Sequence, residues 1–175
     1  MKITCVMVQT VNGKITEGEE SRIYKWTSKE DKAHFEGMVA KHNCIIMGSS
    51  TYEAAKKVIK PEAGKLRIVL TRSPEKYAEV EIPGQLEFKT VPPRELVDML
   101  IEKGITEILL AGGGQINALF FNENLVDELY LTVEPVLFGE GKNIVDETVS
   151  EVPLQLITVE KLNEKGTILL HYKKI

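Results

Sequence analysis

The chain has 175 residues, 43% of them apolar and 27% charged, which is the composition of a soluble globular domain large enough for one core. Its net charge is −4 and its basic residues are scattered, which argues against a nucleic-acid or anionic-membrane partner. No apolar run suits a signal peptide or a membrane span, and neither Cys5 nor Cys44 has a histidine at metal-ligand spacing. We therefore expect a single cytoplasmic domain over residues 1–175, with two free thiols and no metal site.

The first half of the chain alternates strands and helices. Its predicted elements are a strand over 2–11, a mobile surface loop over 14–25, a helix from Thr27 or Ser28 to about His42, a strand over 43–48, a helix opening at Ser49 and a strand over 65–70. Ser28 and Asp31 have the S-x-x-D spacing of a capping box, which is typical of a helix start.

The second half continues the alternation and then changes to a hairpin. Its predicted elements are a weak strand over 86–91, a helix from Pro92 to about Lys103, a strand over 106–111, a glycine turn that leads into a helix, a strand over 125–135 and two hairpin runs over 154–162 and 167–172. This order predicts a three-layer α/β/α fold with a mostly parallel central sheet and an antiparallel hairpin at the C-terminal edge.

The glycine turn is the first candidate binding element. An apolar strand ending at Ala111 meets three glycines, Gly112 to Gly114, and a helical pattern follows. Glycines allow a tight turn and leave the backbone amides of the next helix open to an anion such as phosphate. A tight strand-to-helix turn without a ligand explains the same glycine motif equally well. Other residues must therefore decide whether this turn binds phosphate.

Other polar groups are predicted at the same edge, because ligands of such sheets bind outside the carboxyl ends of the strands. These groups are Thr10 to Thr16, Gly48 to Thr51 and Thr71 to Ser73. Two helix starts with glycine or hydroxyl residues suit a molecule with two or three phosphates. Arg72 provides a positive charge where an NAD site more often has an acid, which favours NADP, although a solvated turn arginine is the alternative.

Asp31 falls on the apolar stripe of its helix, beside Phe35, Met38 and Val39. A carboxylate in this position is unusual. It either complements the helix dipole and the cap, or it has a chemical role.

With these residues in view, the chain resembles the dihydrofolate reductase superfamily, which includes the riboflavin-pathway pyrimidine reductases. The segments that carry the resemblance are Trp26 to Phe35, Ile46-Met-Gly-Ser-Ser-Thr-Tyr-Glu53, Ala111-Gly-Gly-Gly-Gln115 and Tyr130-Leu-Thr132. The similarity extends over nearly the whole chain and implies the dihydrofolate reductase-like fold with NADPH as cofactor.

The resemblance implies a role for each matching residue. Asp31 takes the place of the catalytic carboxylate and Thr132 that of its hydrogen-bond partner. Phe35 and Lys65 take places that contact the pterin and the folate tail, and Val8 is expected beside the reacting rings. The residues expected to bind the cofactor are Ile15, Thr16, Gly48, Ser49, Ser50, Thr51, Thr71, Arg72, Ser73, Ala111, Gly112, Gly113, Gly114, Gln115 and Ile116.

The motifs divide between two members of the superfamily. Asn12-Gly-Lys-Ile15, Leu125-Val-Asp-Glu-Leu129 and Glu134-Pro-Val-Leu-Phe-Gly-Glu-Gly141 are more similar to the pyrimidine reductases. Asp31 together with Thr132 is more similar to dihydrofolate reductases, and this pair favours dihydrofolate as the substrate.

Several residues depart from the dihydrofolate reductase pattern. The loop from Thr16 to Trp26 is longer, Lys25 replaces the proline before the tryptophan, Asn117 replaces a tyrosine, and Lys65 replaces an arginine. Weak folate binding and altered loop closure are the expected consequences.

The resulting hypothesis is NADPH-dependent reduction of 7,8-dihydrofolate, in which Asp31 orients the ring and supplies a proton. The first alternative is reduction of a ribosylamino-pyrimidine phosphate in riboflavin biosynthesis, with Lys14 and Lys65 as candidate phosphate ligands. The second is an NADP-binding protein without turnover. The mixed motifs leave open whether the chain is a monomer or a homodimer.

Overall fold

The computed structural model describes residues 1–20, 22–146 and 149–175. Its strands and α-helices, in chain order, are β1 (Lys2–Thr10), α1 (Lys29–Lys41), β2 (Cys44–Gly48), α2 (Ser49–Ala55), β3 (Leu66–Leu70), β4 (Leu86–Lys89), α3 (Pro93–Glu102), β5 (Glu107–Leu110), α4 (Gly114–Asn122), β6 (Glu128–Glu134), β7 (Leu154–Lys161) and β8 (Ile168–Lys174). Each predicted strand and helix is present, and the bounds differ by at most a few residues.

The strands form one eight-stranded sheet in the order β4-β3-β2-β5-β1-β6-β8-β7. The pairs from β4 to β6 are parallel, whereas β8 pairs antiparallel with β6 and β7 pairs antiparallel with β8. The predicted fold class is therefore confirmed. Since β1, β2, β3, β5 and β6 point the same way, their carboxyl ends share one edge, which we call the carboxyl edge.

Helices cover both faces of the sheet. On one face, Leu96 and Leu100 of α3 and Phe120 of α4 belong to the same apolar cluster as Ile46 and Leu110. On the other face, Met38 of α1 and Tyr52 of α2 belong to a second cluster with strand residues such as Val69. No helix in the described part of the chain is long and apolar enough to cross a bilayer.

The start of α1 follows the sequence signal. Ser28 is the N-cap, and its side chain accepts a hydrogen bond from Asp31 N at 3.2 Å. Asp31 and Met38 are the buried residues of α1, which confirms that the carboxylate lies on the inner side of the helix. The second half of a capping box, in which the acid side chain returns to the N-cap amide, is replaced by a different contact described below.

The loop after β1 is held by a distant segment. Ile15 N donates to Lys142 O at 2.8 Å, and Gly18 N donates to Glu140 O at 3.0 Å. The loop predicted to be mobile is thus paired, over its first part, with the segment that follows β6. Ser21, in the later part of this loop, lies outside the described residues.

Candidate active site

The two strand, glycine and helix units meet at the carboxyl edge. Gly48 N donates to Gly112 O at 2.8 Å. Gly112 has φ +78°, which glycine adopts readily, and a Cβ there would lie 2.7 Å from Met7 Sδ. Ile116, in the first turn of α4, lies with its Cγ1 2.7 Å from the position of a Cβ on Gly48. The missing side chains at Gly48 and Gly112 therefore allow the two units to pack closely.

Gly113 opens α4 beside two predicted cofactor residues. It is the N-cap of the helix, and its carbonyl accepts a bond from Asn117 N at 3.0 Å. The amides between these residues precede the first intrahelical bond and have no partner within the helix. A Cβ on Gly113 would lie 3.5 Å from Thr51 Oγ1 and 4.0 Å from Ile15 Cδ1. Bare backbone, a helix start and a hydroxyl thus come together, an arrangement that suits an anionic phosphate.

A segment after β6 packs against another side of this helix start. Asp146 N donates to Gly114 O at 3.2 Å, and a Cβ on Gly114 would overlap the carbonyl oxygen of Asn143. The buried Asn117 donates from Nδ2 to Ile144 O at 2.7 Å. Asn117, which replaces a tyrosine of the family pattern, therefore holds this segment against α4.

Asp31 is the buried acid of the site, with 6% of its surface exposed. Removal from water raises its pKa to about 6; the Thr132 and Thr27 hydroxyls oppose the rise, and the negative charge of Glu134 adds to it. Thr132 pairs with Val8 in the β1–β6 register. The Thr132 hydroxyl is buried and makes no hydrogen bond of standard geometry with the described residues, so it is available to Asp31 or a ligand.

A second buried carboxylate, Glu134, ends β6 and has 4% of its surface exposed. Its Oε1 accepts a hydrogen bond from Ser28 N at 2.7 Å, and its Oε2 accepts one from Thr167 Oγ1 at 2.6 Å. Sequence reasoning did not identify Glu134 or Thr167 as site residues. The available signal was an acid directly before the proline that ends the strand.

A pocket at the carboxyl edge is lined by Glu134 and by the residues that precede α1. Its lining residues are Trp26, Thr27, Ser28, Glu134, Pro135, Val136, Lys165 and Thr167. The Trp26 ring packs edge-on against Phe138, with ring centroids 5.3 Å apart, while its Nε1 is buried without a hydrogen-bond partner in the described structure. The start of α1 is therefore next to a space that a ligand or water can enter.

The turn after β3 contains Thr71, Arg72 and Ser73, which are predicted to bind the cofactor and of which Arg72 favours NADP. Thr71 Oγ1 accepts a hydrogen bond from Ser73 N at 3.2 Å. Arg72 is exposed and forms no ion pair with the described residues. Its guanidinium is free to bind an anion.

Three predicted residues are placed differently from the others. The Thr16 hydroxyl belongs to the loop pairing, since it donates to Gly18 O at 2.8 Å and accepts from Lys142 N at 2.9 Å. Phe35 lies one turn after Asp31 and is 36% exposed. Lys65 precedes β3, at the opposite end of the strand from Arg72.

The Lys65 ammonium is held by the protein itself. It donates to Val39 O at 2.8 Å and lies 3.7 Å from the Glu62 carboxylate. Lys65 could bind a substrate only if it gave up these contacts. It is therefore a weaker candidate for substrate binding than the sequence indicates.

The structure brings most of the predicted cofactor residues to one edge. The residues that follow strand ends there are Ile15, Thr16, Ser49, Ser50, Thr51, Thr71, Arg72, Ser73, Ala111, Gly112, Gly113, Gly114, Gln115 and Ile116. Gly48 is the last residue of its strand, and Val8 and Thr132 each lie two residues before theirs. The described residues contain no group of three or more His, Cys, Asp or Glu side chains suited to a metal ion.

Comparison with known proteins links this arrangement to a family. The model of the family described as the RibD C-terminal domain matches residues 1–168. A protein of Caenorhabditis elegans described as a putative dihydrofolate reductase is 31% identical over 120 residues, which is 63% of this chain and 61% of that protein. The recognition of the dihydrofolate reductase superfamily, with pyrimidine reductase features, is confirmed.

Solved structures share the fold at low sequence identity. A putative riboflavin biosynthesis protein from Shewanella superposes with a TM-score of 0.79 at 18% identity and covers 100% of this chain and 99% of that one. A Thermotoga maritima diaminohydroxyphosphoribosylaminopyrimidine deaminase/5-amino-6-(5-phosphoribosylamino)uracil reductase gives a TM-score of 0.78 at 17% identity. The match covers 99% of this chain but 56% of the Thermotoga protein.

Proposed function

We propose that the chain, which belongs to the RibD C-terminal domain family, is a reductase that uses NADPH to reduce a phosphorylated ribosylamino-pyrimidine. The observation that carries this proposal is the family match over residues 1–168, which includes the glycine turn, Arg72 and Asp31. The fold relative from Thermotoga maritima is described as a 5-amino-6-(5-phosphoribosylamino)uracil reductase, so this compound is the first substrate to test. The pyrimidine alternative is thus better supported than dihydrofolate.

The chemistry of the residues at the carboxyl edge supports NADPH as the cofactor. Gly113 presents bare backbone at the start of α4, next to the Thr51 hydroxyl, and these groups would hold the pyrophosphate. Arg72, which has no ion-pair partner in the described structure, would bind the 2′-phosphate. The apolar Ile15 and Val8 would flank the nicotinamide, which supplies the hydride when the cofactor is bound.

Asp31 would orient the substrate and hold the proton. A buried carboxyl with a pKa of about 6 is partly protonated near neutral pH, so it can donate a proton to the nitrogen next to a reduced carbon. In its ionised form it can accept two parallel hydrogen bonds from an amino-substituted ring edge, which holds the substrate in place for hydride transfer to the carbon that is reduced. Thr132 supplies an additional hydroxyl beside it.

Lys14 is the better candidate for the substrate phosphate. Its ammonium donates to Asn143 Oδ1 at 2.9 Å, and no described carboxylate forms a salt bridge with it. Its charge is therefore not neutralised, whereas Lys65 lies next to Glu62. Lys14 also follows β1, on the same edge as Gly113.

Dihydrofolate is the second candidate substrate, and Asp31 is the observation that favours it. The pairing of a buried acid on α1 with Thr132 is the feature that resembles dihydrofolate reductases. NADP binding without turnover is the remaining alternative. Binding of NADP alone does not explain why the Asp31 carboxyl is buried, where its charged form is disfavoured.

The test is to follow NADPH absorbance with purified protein, first with 5-amino-6-(5-phosphoribosylamino)uracil and then with dihydrofolate, between pH 5.5 and 8.5. We expect oxidation with the pyrimidine that declines as pH rises. Turnover of dihydrofolate alone, blocked by methotrexate, would transfer the assignment to the second candidate. Tight NADPH binding with neither substrate consumed would contradict both and leave the binding protein.

A further inference from the structure

The cap of α1 is shared between two acids from different parts of the chain. In a capping box, the acid three residues after the N-cap accepts a hydrogen bond from the N-cap amide. Here Ser28 Oγ accepts from Asp31 N at 3.2 Å, but the Ser28 amide donates to Glu134 Oε1 at 2.7 Å. Glu134 therefore performs the capping role that the sequence assigns to Asp31, and the Asp31 carboxyl is left free of the cap.

Glu134 is in turn held by the turn between β7 and β8. Thr167 Oγ1 donates to Glu134 Oε2 at 2.6 Å, and Asn163 Nδ2 donates to Thr167 Oγ1 at 2.9 Å. The same Asn163 amide donates to Glu30 Oε2 in the first turn of α1 at 3.1 Å. These bonds close a ring that joins the end of β6, the hairpin turn and the helix start, and Asp31 is fixed on that start.

Glu134 also acts on Asp31 through its charge. The groups that act directly on the Asp31 carboxyl are the Thr27 hydroxyl from the preceding loop and Thr132 and Glu134 from β6, and of these Glu134 alone is a charged group. Lys165 lines the adjoining pocket, but no described residue forms a salt bridge with Glu134. A negative charge next to a second buried acid favours the neutral form of that acid.

We infer that Glu134 is a positioning residue for Asp31: it takes the place of the Asp31 side chain at the α1 cap, so that the Asp31 carboxyl stays free of the cap and faces the charge of Glu134. Its effect on turnover depends on the proposed reductase function, whereas its effect on Asp31 does not. Glu134 thus stabilises the start of α1, and the Asp31 carboxyl is left available for the proposed contact with the substrate.

Two variants separate the effect of the Glu134 charge from the effect of its side-chain length. Glu134→Gln keeps the shape and the acceptor for Ser28 N but removes the charge. Glu134→Asp keeps the charge but shortens the side chain by one methylene, which weakens the bonds to Ser28 and Thr167. Carbon-13 NMR of the ligand-free protein, with Asp31→Asn to identify the signal, gives the titration midpoint of Asp31 in each variant.

We expect Glu134→Gln to move the Asp31 midpoint to lower pH by roughly half a pH unit or more, and Glu134→Asp to leave it closer to the wild-type value while lowering the melting temperature. In the active enzyme, the decline of kcat/KM with pH should move by the same amount in Glu134→Gln. An unchanged midpoint in Glu134→Gln overturns the inference. If this variant does not fold, a midpoint in Glu134→Asp that falls well below the wild-type value overturns it instead.

The two failures can be told apart. If the NMR midpoint shifts but neither substrate is reduced, Glu134 controls Asp31 and the proposed function is wrong. If the substrate is reduced but the midpoint does not move, the reaction stands and Glu134 has a structural role alone.

Discussion

Ile116 Cγ1 lies 2.7 Å from the position that a Cβ on Gly48 would occupy. This close approach joins the end of β2 to the first turn of α4. It thereby brings together the two predicted cofactor-binding elements, whose glycines at positions 48 and 112 are 64 residues apart in the sequence. Gly48 itself has φ −87°, which any residue can adopt, so its role is to leave space.

Gly48→Ala should therefore destabilise the protein through contact with Ile116. An extra methyl in a packed site costs roughly 1 to 3 kcal/mol, which is a melting temperature lower by about 2 to 4 °C for each kcal/mol. Calorimetry of Gly48→Ala measures the loss, and Gly37→Ala is the matched control because a Cβ there meets nothing within 4 Å. In an Ile116→Ala background, which lacks Cγ1, the cost of Gly48→Ala should be smaller; a purely additive double variant would contradict this explanation.

Gly113→Ala should weaken NADPH binding without comparable loss of stability. Its methyl would lie 3.5 Å from Thr51 Oγ1, an ordinary contact, but it would occupy the space assigned to the pyrophosphate. We expect a dissociation constant for NADPH raised roughly tenfold or more, which corresponds to about 1.4 kcal/mol. Fluorescence titration measures it, again with Gly37→Ala as the control. Unchanged affinity would remove the α4 start from the cofactor site.

Arg72→Ala tests the choice between NADPH and NADH. An unpaired arginine that binds the 2′-phosphate contributes to NADPH affinity only, because NADH lacks that group. The KM for NADPH should rise roughly tenfold while the KM for NADH changes little. Lys76→Ala removes a nearby exposed charge and is the control. Equal changes for both cofactors would show that Arg72 does not bind the phosphate.

Asp31→Asn should bind NADPH normally and lose most turnover at neutral pH. Asparagine keeps the shape but neither transfers a proton nor accepts two parallel hydrogen bonds, so kcat should fall by about 10² to 10⁴. Steady-state kinetics with the active substrate measures the change, and Glu36→Gln, an exposed acid on the same helix, is the control. Turnover like that of the wild type would exclude Asp31 from the chemistry.

The same substitution should stabilise the protein at high pH. Burial raises the folded-state pKa of Asp31 from 3.8 to about 6, so its favourable contribution is complete below pH 4 and is lost as pH rises through 6. One pKa unit is 1.36 kcal/mol, so the whole shift corresponds to about 3 kcal/mol. Asp31→Asn should gain about 2 to 2.5 kcal/mol of this relative to the wild type at pH 8 compared with pH 4, because part of the effect lies below pH 4. Urea unfolding at both pH values measures this difference. A pH-independent difference would mean that the Asp31 pKa is not raised.

The local signals in the sequence predicted the place in the fold of most candidate residues, which lie at the carboxyl edge. Apolar runs located the strands, the glycines located the turns, and the helical stripe identified Asp31 as an inward-facing acid. These signals depend on residues close together in the chain. Glu134 was missed because its partner Ser28 is 106 residues away, and no local pattern reports such a bond.

Other features also depended on tertiary contacts. No short motif indicates that the loop after β1 pairs with residues 140–143. The polar composition of this loop therefore predicted a mobile segment. Lys65 matched the position of a family residue, but its contact with Val39 O depends on where α1 ends in space. Asp31 and Thr132 favoured dihydrofolate as the predicted substrate, whereas the family match over residues 1–168 supports the pyrimidine.

The pairing of the loop after β1 with residues 140–143 links two segments at the carboxyl edge. Lys142 contributes to two of the bonds that hold the loop after β1, and the adjacent Asn143 carbonyl packs on Gly114 at the start of α4. A displacement of the loop after β1 would therefore also displace residues 140–143, which pack on the start of α4 and follow Glu134 in the chain. The loop after β1 is therefore not an independent flap, because its position is tied to the segment that follows Glu134 at the end of β6.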